Sequence, residues 1–395
     1  MTKIKNTATV ITEYLLMLSI ILYSSVWALL TPALSNTFSR VAIIFAALLL
    51  VLNFSGLTVR GVKKCCILLL VFAAFLFFTR YNFLRAVLYL IIPFCLFTLY
   101  LSSLKGKINR PMLAFSDIMT VITALSVVLY VLGTVLAFIQ PTGAVRVWWG
   151  EEERVFNNYF HLLYEAQDIE LFGNTFIRNC SIFPEAPGFA AYLSLSLAVE
   201  LFIRNKMSKP RIAILLLGAL TSFSAKAILL CALCLLLRFL FSKNRSEKTR
   251  ALKIGAVIIS LSLAAVVIFI KSSSFSFHIR LDDLDACLAA FSQYAPFGAG
   301  YFNDSAVVTH FEYAYRANDG LSMGLGVLLC QGGILLFGLY IVAAVLAIIN
   351  SKSNQRMNML AFVLVFFGML FVTNIPFGMI TIFIISYFFA TEKKR

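Results

Sequence analysis

Residues Leu321–Ile349 read LSMGLGVLLCQGGILLFGLYIVAAVLAII, without one charged side chain. A bilayer core is crossed by a helix of about 20 apolar residues, so this run is long enough to span one with some tilt. Outward from it, the same signature recurs at Tyr14–Leu30, Val41–Leu57, Cys65–Phe78, Val87–Leu101, Ile118–Ile139 and Gly188–Ile203. It recurs again at Ile212–Phe223, Ala225–Leu237, Ile254–Ile270, Met359–Val372 and Ile375–Ala390. The chain is 61% hydrophobic and 13% charged, with mean hydropathy +0.91. A soluble core cannot use that much apolar surface. The chain therefore reads as an all-α polytopic membrane protein, one integral-membrane domain over residues 1–395 with about 12 transmembrane helices.

Charge orients those helices. Twenty-three of the 33 Lys and Arg fall on one set of connections and on both termini, from Lys3 through Arg60, Lys105, Arg204, Arg238 and Lys352 to Arg395. Only Glu13, Asp117, Glu200, Glu247 and Glu392 share that side with them. The positive-inside rule makes it cytoplasmic, with both termini. The net charge of +15 thus sets topology and predicts no nucleic-acid partner. The first apolar run is long for a cleaved signal core and is expected to stay as an anchor. The eight Cys show no metal spacing on a polar loop, and Cys231-x-x-Cys234 lies within an apolar span as packing. Cys180 and Cys287 are the two placed outside; their pairing is left open.

Two long extracytoplasmic loops, residues 140–187 and 271–320, interrupt the pattern and hold all three His. Long connections of this kind are usually binding loops or lids. Trp148 and Trp149 mark the interface where the first loop leaves the membrane, and Glu151–Glu153 with Arg154 reads as a solvated run. In the second loop Leu281, Leu284, Leu288 and Phe291 recur at helical spacing. That predicts an amphipathic helix over Asp282–Ser292, with Asp282, Asp283 and Asp285 in its first turn and Arg280 just ahead. Pro296-Phe-Gly-Ala-Gly-Tyr301 follows, a turn whose two glycines would let backbone approach a ligand.

Between the loops, Arg211 to Arg238 encloses one long helix or two short ones. A single helix would leave Lys226 near mid-bilayer at roughly 2.5–3.5 kcal/mol. A hairpin broken at Thr221-Ser-Phe-Ser224 is therefore expected, with Lys226 at the outer mouth, either as an anion contact or snorkelling to the interface. The end of the first loop, Arg178-Asn-Cys-Ser-Ile-Phe-Pro-Glu-Ala-Pro-Gly-Phe-Ala-Ala-Tyr192, opens an apolar helix with Pro187 in its first turn. Backbone N–H groups at such an end bind anions. Arg178 adds a permanent charge there and Glu185 a base; the plainer alternative is that Glu185 caps the helix and pairs with Arg178.

Arg178-x-x-Ser181-x-Phe183-x-Glu185-x-Pro187-Gly188-Phe189-Ala190 resembles the signature of Wzy-type O-antigen and capsule polymerases, with Ala186 inserted between the acid and the proline. The Ser-rich break at Thr221–Ser224, then Arg280-x-Asp282-Asp283 through Tyr301, then Asn318 before Gly332-Gly333, follow in that family's order. What the resemblance implies is a metal-independent, cofactor-free membrane glycosyltransferase at the periplasmic face of the bacterial inner membrane. It would move a growing glycan from undecaprenyl diphosphate to the terminal sugar of a new lipid-linked repeat unit. Arg178 and Arg280 would hold the diphosphate and Glu185 would serve as base, while Lys226, Tyr301 and Asn318 would bind substrate. Donor and acceptor would both be undecaprenyl-diphosphate-linked oligosaccharides in the membrane lipid, with a chain-length regulator and a flippase as protein partners. Two alternatives stand beside it. One is the related O-antigen ligase, whose pre-span histidine is replaced here by Asn318-Asp319; the other is a non-catalytic transporter of lipid-linked oligosaccharide.

Overall fold

The helix Ala186–Ala198, continued by a π-helical turn to Ile203, is 89% buried along its span, against 22% for Ala33–Leu52. It is the central post, and the helices around it give their outer faces to lipid. The computed structural model describes residues 2–30, 32–149, 152–171, 173–241, 275–312, 316 and 320–392, with scattered positions between 252 and 262. In chain order the helices are α1 (Thr2–Leu22), α2 (Val26–Leu29), α3 (Pro32–Leu52), α4 (Val59–Thr79), α5 (Phe83–Ala86), α6 (Ile92–Ser103), α7 (Arg110–Leu129) and α8 (Ala186–Ala198). Then come α9 (Lys209–Thr221), α10 (Ala225–Leu240), α11 (Phe275–Tyr294), α12 (Ser305–Val308), α13 (Gly324–Asn350), α14 (Arg356–Val372) and α15 (Met379–Ala390). Among the described residues six helical segments are long and apolar enough to cross a membrane, and Asn6–Leu22, α14 and α15 are shorter apolar helices. The expected span Ile254–Ile270 falls almost wholly outside the described residues.

Around the post, α8 packs on α7, α9, α10 and α14, while α1 packs on α3 and α7, and α15 on α6 and α13. Small residues allow close approach: Ser116 and Ser196 bring their hydroxyls to 3.2 Å across the α7–α8 contact. At the basic end the few acids are matched. Glu13 meets Arg110 at 3.0 Å and accepts from Tyr100, and Arg204 donates to Glu200 at 2.6 Å and to Asp117, which also takes Arg211.

Three expectations change here. The first apolar helix ends at Leu22, and the chain turns so that Val26 N–H donates to Ile182 O at 2.8 Å. The first long loop is β structure: β1 (Gly143–Trp149), β2 (Glu152–Tyr159) and β3 (Leu163–Glu165) form an antiparallel sheet, and β4 (Asp168–Leu171) pairs with β5 (Asn174–Ile177). Alternation places Val147 and Phe156 inward with Tyr164 against Val26, so the sheet is anchored on α2. His161 belongs to that anchor, its backbone oxygen accepting from Trp27 Nε1 at 3.2 Å and its ring meeting the Tyr164 hydroxyl at 3.0 Å. All-α thus describes the spans and not this loop. Finally, α11 begins at Phe275, so Arg280 lies within it and the three aspartates lie beyond its first turn.

The Pro296–Tyr301 turn has a different role from the one its glycines suggest. α13 breaks at Gly333, whose φ of 62° and ψ of −167° are not helical. Ile334 N–H donates instead to Pro296 O at 2.9 Å, while the Cys330 and Gln331 carbonyls take Ala299 N–H at 2.8 Å and Gly300 N–H at 3.0 Å. Backbone polar groups freed at membrane depth must be satisfied within the protein, and this turn satisfies them. The glycines permit a backbone-to-backbone contact: a Cβ on Gly333 would lie 2.2 Å from the Phe297 carbonyl carbon, and one on Gly298 2.5 Å from Gly333 N. Gly333→Ala is expected to cost at least ~1–3 kcal/mol for the backbone conformation alone. Gly338→Ala, where nothing lies within 4 Å, is expected to leave stability level or slightly higher. Thermal midpoints in detergent compare the two; equal midpoints would contradict the stitched break.

Candidate functional site

Glu185 is the N-cap of α8, in extended conformation, yet its carboxylate accepts no capping hydrogen bond and makes no ion pair among the described residues. The side chain folds back over Gly188, where a Cβ would meet its Cγ at 3.4 Å. The plain capping role is therefore absent. Burial raises the Glu185 carboxyl above its ordinary value, with Lys226 and Arg178 pulling the other way.

Arg178 comes to the same end of α8 from the last strand of the β loop. Its Nε donates to Ser222 O at 3.1 Å and its Nη1 to Gln167 Oε1 at 3.3 Å. A guanidinium has five N–H donors, so three remain uncommitted among the described residues. The Gln167 oxygen also accepts from Ala186 N–H at 3.1 Å, so one amide positions the arginine and the helix start together. Next to Arg178, buried Asn179 closes the clamp. Its backbone N–H donates to Thr221 O at 3.1 Å, its Nδ2 to Thr221 Oγ1 at 3.0 Å, and its Oδ1 accepts from Ser126 and from Ser181 N–H.

These bonds show why the hairpin forms where it does. α9 ends at Thr221 and α10 begins at Ala225, so Arg211–Arg238 is two helices, with Lys226 in the first turn of the second. The carbonyls freed at Thr221 and Ser222 are taken by Asn179 and Arg178. Lys226 stands within electrostatic reach of Arg280, Glu185, Asp283 and Arg178. Neither Lys226 nor Arg280 has a hydrogen bond or ion pair to a described residue. Burial lowers the Arg178 and Arg280 guanidiniums below their ordinary value, without discharging groups that start so high.

Nearby Asp283, which acts electrostatically on both Lys226 and Arg280, is also held by Arg316. The Arg316 side chain, 1% exposed, holds both Asp282 and Asp283, and Asp283 also accepts from Ser322 N–H at 2.8 Å. The Arg316 guanidinium lies 3.4 Å over the Phe311 ring. The aspartates therefore tie the chain after α12 to α11, a larger task than complementing a helix dipole. Arg178 and Lys226 therefore stand by Glu185, and Lys226 and Arg280 by Asp283, at the loop end of the central post. Cations with uncommitted donors at such a place suit an anionic ligand.

Of the six residues singled out from sequence, four gather here: Arg178, Glu185, Lys226 and Arg280. Tyr301 does not join them. It is buried, its ring 5.3 Å edge-on to Phe377, and its polar neighbours are Tyr23, Arg85, Tyr89 and Tyr340. Asn318 lies outside the described residues. Cys180 and Cys287 are both buried free thiols, and Cys287 sits beside Cys330. Among the described residues no group of three or more His, Cys, Asp or Glu could hold a metal ion. Gln167, Asn179 and Arg316 were missed because nothing near them in sequence marks their partners. Compared with protein families, curated proteins and solved structures, the chain matches none.

The two arginines of the second loop should separate by stability. Arg316→Gln leaves Asp283 buried without its partner and is expected to cost ~3–5 kcal/mol, seen as lost protein or a sharply lower midpoint. Arg280→Gln breaks no bond to a described residue and should leave the midpoint near that of the parent. The opposite ranking would overturn the assignment of Arg316 as structural and Arg280 as free.

Proposed function

We propose that the chain is a surface-polysaccharide polymerase of the bacterial inner membrane, acting at the periplasmic end of the helix bundle. The observation that supports this best is the approach of Arg178 and Lys226 to a half-buried Glu185, with Arg280 beside Lys226 and each cation on a different segment. Structural charges are normally paired; among the described residues Arg178, Lys226, Arg280 and Glu185 form no ion pair.

In the proposed reaction, undecaprenyl diphosphate carries the growing glycan and a second undecaprenyl-diphosphate-linked repeat unit supplies the acceptor hydroxyl. The glycosyl carbon–oxygen bond to the diphosphate breaks, its electron pair leaving with the diphosphate. Guanidinium forks from Arg178 and Arg280 and the Lys226 ammonium hold that departing charge, an arrangement worth ~2.7–4 kcal/mol per preorganised donor in other enzymes. The acceptor oxygen forms the new bond while its proton passes to Glu185. Burial among apolar spans strengthens each of these contacts, because little water competes. A chain-length regulator and the flippase delivering the repeat unit are the proposed partners.

Arg280→Lys and Arg178→Lys are each expected to abolish polymer in cells while protein level stays intact, since an ammonium cannot reproduce the bidentate fork. Polymer of normal length in both would overturn the diphosphate role. Lipopolysaccharide capped with single repeats in the null strain supports polymerase; uncapped core would instead indicate ligase. With Glu185 as base the rate falls as pH drops through its carboxyl value, which burial has raised. The acid limb should therefore lie above the ordinary carboxylate range and vanish, with most activity, in Glu185→Gln. An acid limb unchanged in that variant removes Glu185 from the chemistry.

A further inference from the structure

The opposite end of the central post holds a second polar space. The span from Ala186 to Ile203 rises about 27 Å at 1.5 Å per residue, so Arg204 and Glu185 lie on opposite faces of the bundle. At the Arg204 end a cavity of about 540 Å³ is enclosed by the ends of α6, α8, α10, α13, α14 and α15. Its wall carries Lys105, Arg204, Arg238 and Lys352 against one acid, Glu392.

Two of those cations are already used. Arg204 is bound by Glu200 and Asp117, and Lys105 donates to Ser55 O at 3.0 Å. Glu392 is drawn off by Lys64 at 3.7 Å. Arg238 and Lys352 have no carboxylate and no hydrogen-bond acceptor among the described residues. A solvated pair of bases would need no further account on an open surface. These two, Arg238 half-buried and Lys352 exposed, line one cavity whose wall continues with Phe202, Ile203 and Met359. A cationic floor meeting an apolar wall at the ends of membrane helices fits an amphiphile: a phosphate head on the bases and acyl chain along the wall.

We infer that this cavity binds the phosphate headgroup of an anionic membrane phospholipid, held by Arg238 and Lys352. The site is separate from the Arg178 cluster and does not depend on the polymerase proposal. Occupancy would link the ends of α10 and α13, which both line the cavity, and so stabilise the folded bundle.

The test uses the full-length chain purified in detergent, with bound lipid counted by native mass spectrometry and thermal midpoint measured in parallel. Phosphatidylglycerol should be retained and raise the midpoint, whereas phosphatidylcholine should do neither. In the Arg238→Gln, Lys352→Gln double variant the apparent affinity for phosphatidylglycerol should fall at least tenfold. A second pair, Arg60→Gln with Lys63→Gln, removes bases from the same face but outside the cavity and should bind as the parent does. Equal retention of both lipids by the parent, or unchanged retention by the cavity variant, overturns the site. A midpoint raised as far by inorganic pyrophosphate as by the lipid would overturn the lipid headgroup as its occupant.

Discussion

A backbone amide or carbonyl left unpaired at membrane depth costs several kcal/mol, and the architecture around the candidate site follows from how two such losses are repaired. One helix breaks at Gly333 and the other pair breaks between Thr221 and Ala225. Each break is closed by a segment from one of the two long loops. Pro296–Gly300 inserts into the first, and Arg178 with Asn179 binds the second. Repairing the breaks thus fixes both loops onto the bundle, and charged side chains from separate parts of the chain arrive at one place.

The same repairs decide which charges are structural and which are free. Arg178 spends part of its fork on the Ser222 carbonyl and keeps the rest. Arg316 pairs with both Asp282 and Asp283, one cation against two carboxylates, and Asp283 also acts on Lys226 and Arg280. Among the described residues Arg178, Lys226, Arg280 and Glu185 are left without an ion pair, in a setting where water screens little. Stability alone gives no reason to hold such a group of side chains, since each buried charge without a partner is costly. In the proposed reaction the diphosphate would supply that partner.

Much of this was legible in the sequence because membrane placement acts on composition. The apolar runs, the basic face and the hairpin at Thr221–Ser224 follow from the cost of charge in hydrocarbon, and Lys226 alone was enough to decide the hairpin. Arg178, Glu185 and Arg280 could be chosen because charged residues beside a helix start have few structural duties. The glycines of Pro296–Tyr301 were misjudged, since a glycine that admits a ligand and one that admits another helix look identical in sequence. Tyr301 was drawn in by those glycines and belongs to the core beneath them. The β sheet escaped notice because charged and polar residues interrupt the alternation of its strands. Asn179 and Gln167 act on backbone many residues away, which a linear pattern does not reveal.

The most direct measurement is an experimental structure of the protein with an undecaprenyl-diphosphate-linked sugar bound. The account predicts diphosphate density between the Arg178 and Arg280 guanidiniums, with Lys226 in contact and the prenyl chain leaving between the spans. Density for the diphosphate elsewhere, with those three cations turned to solvent or to protein carboxylates, would contradict it.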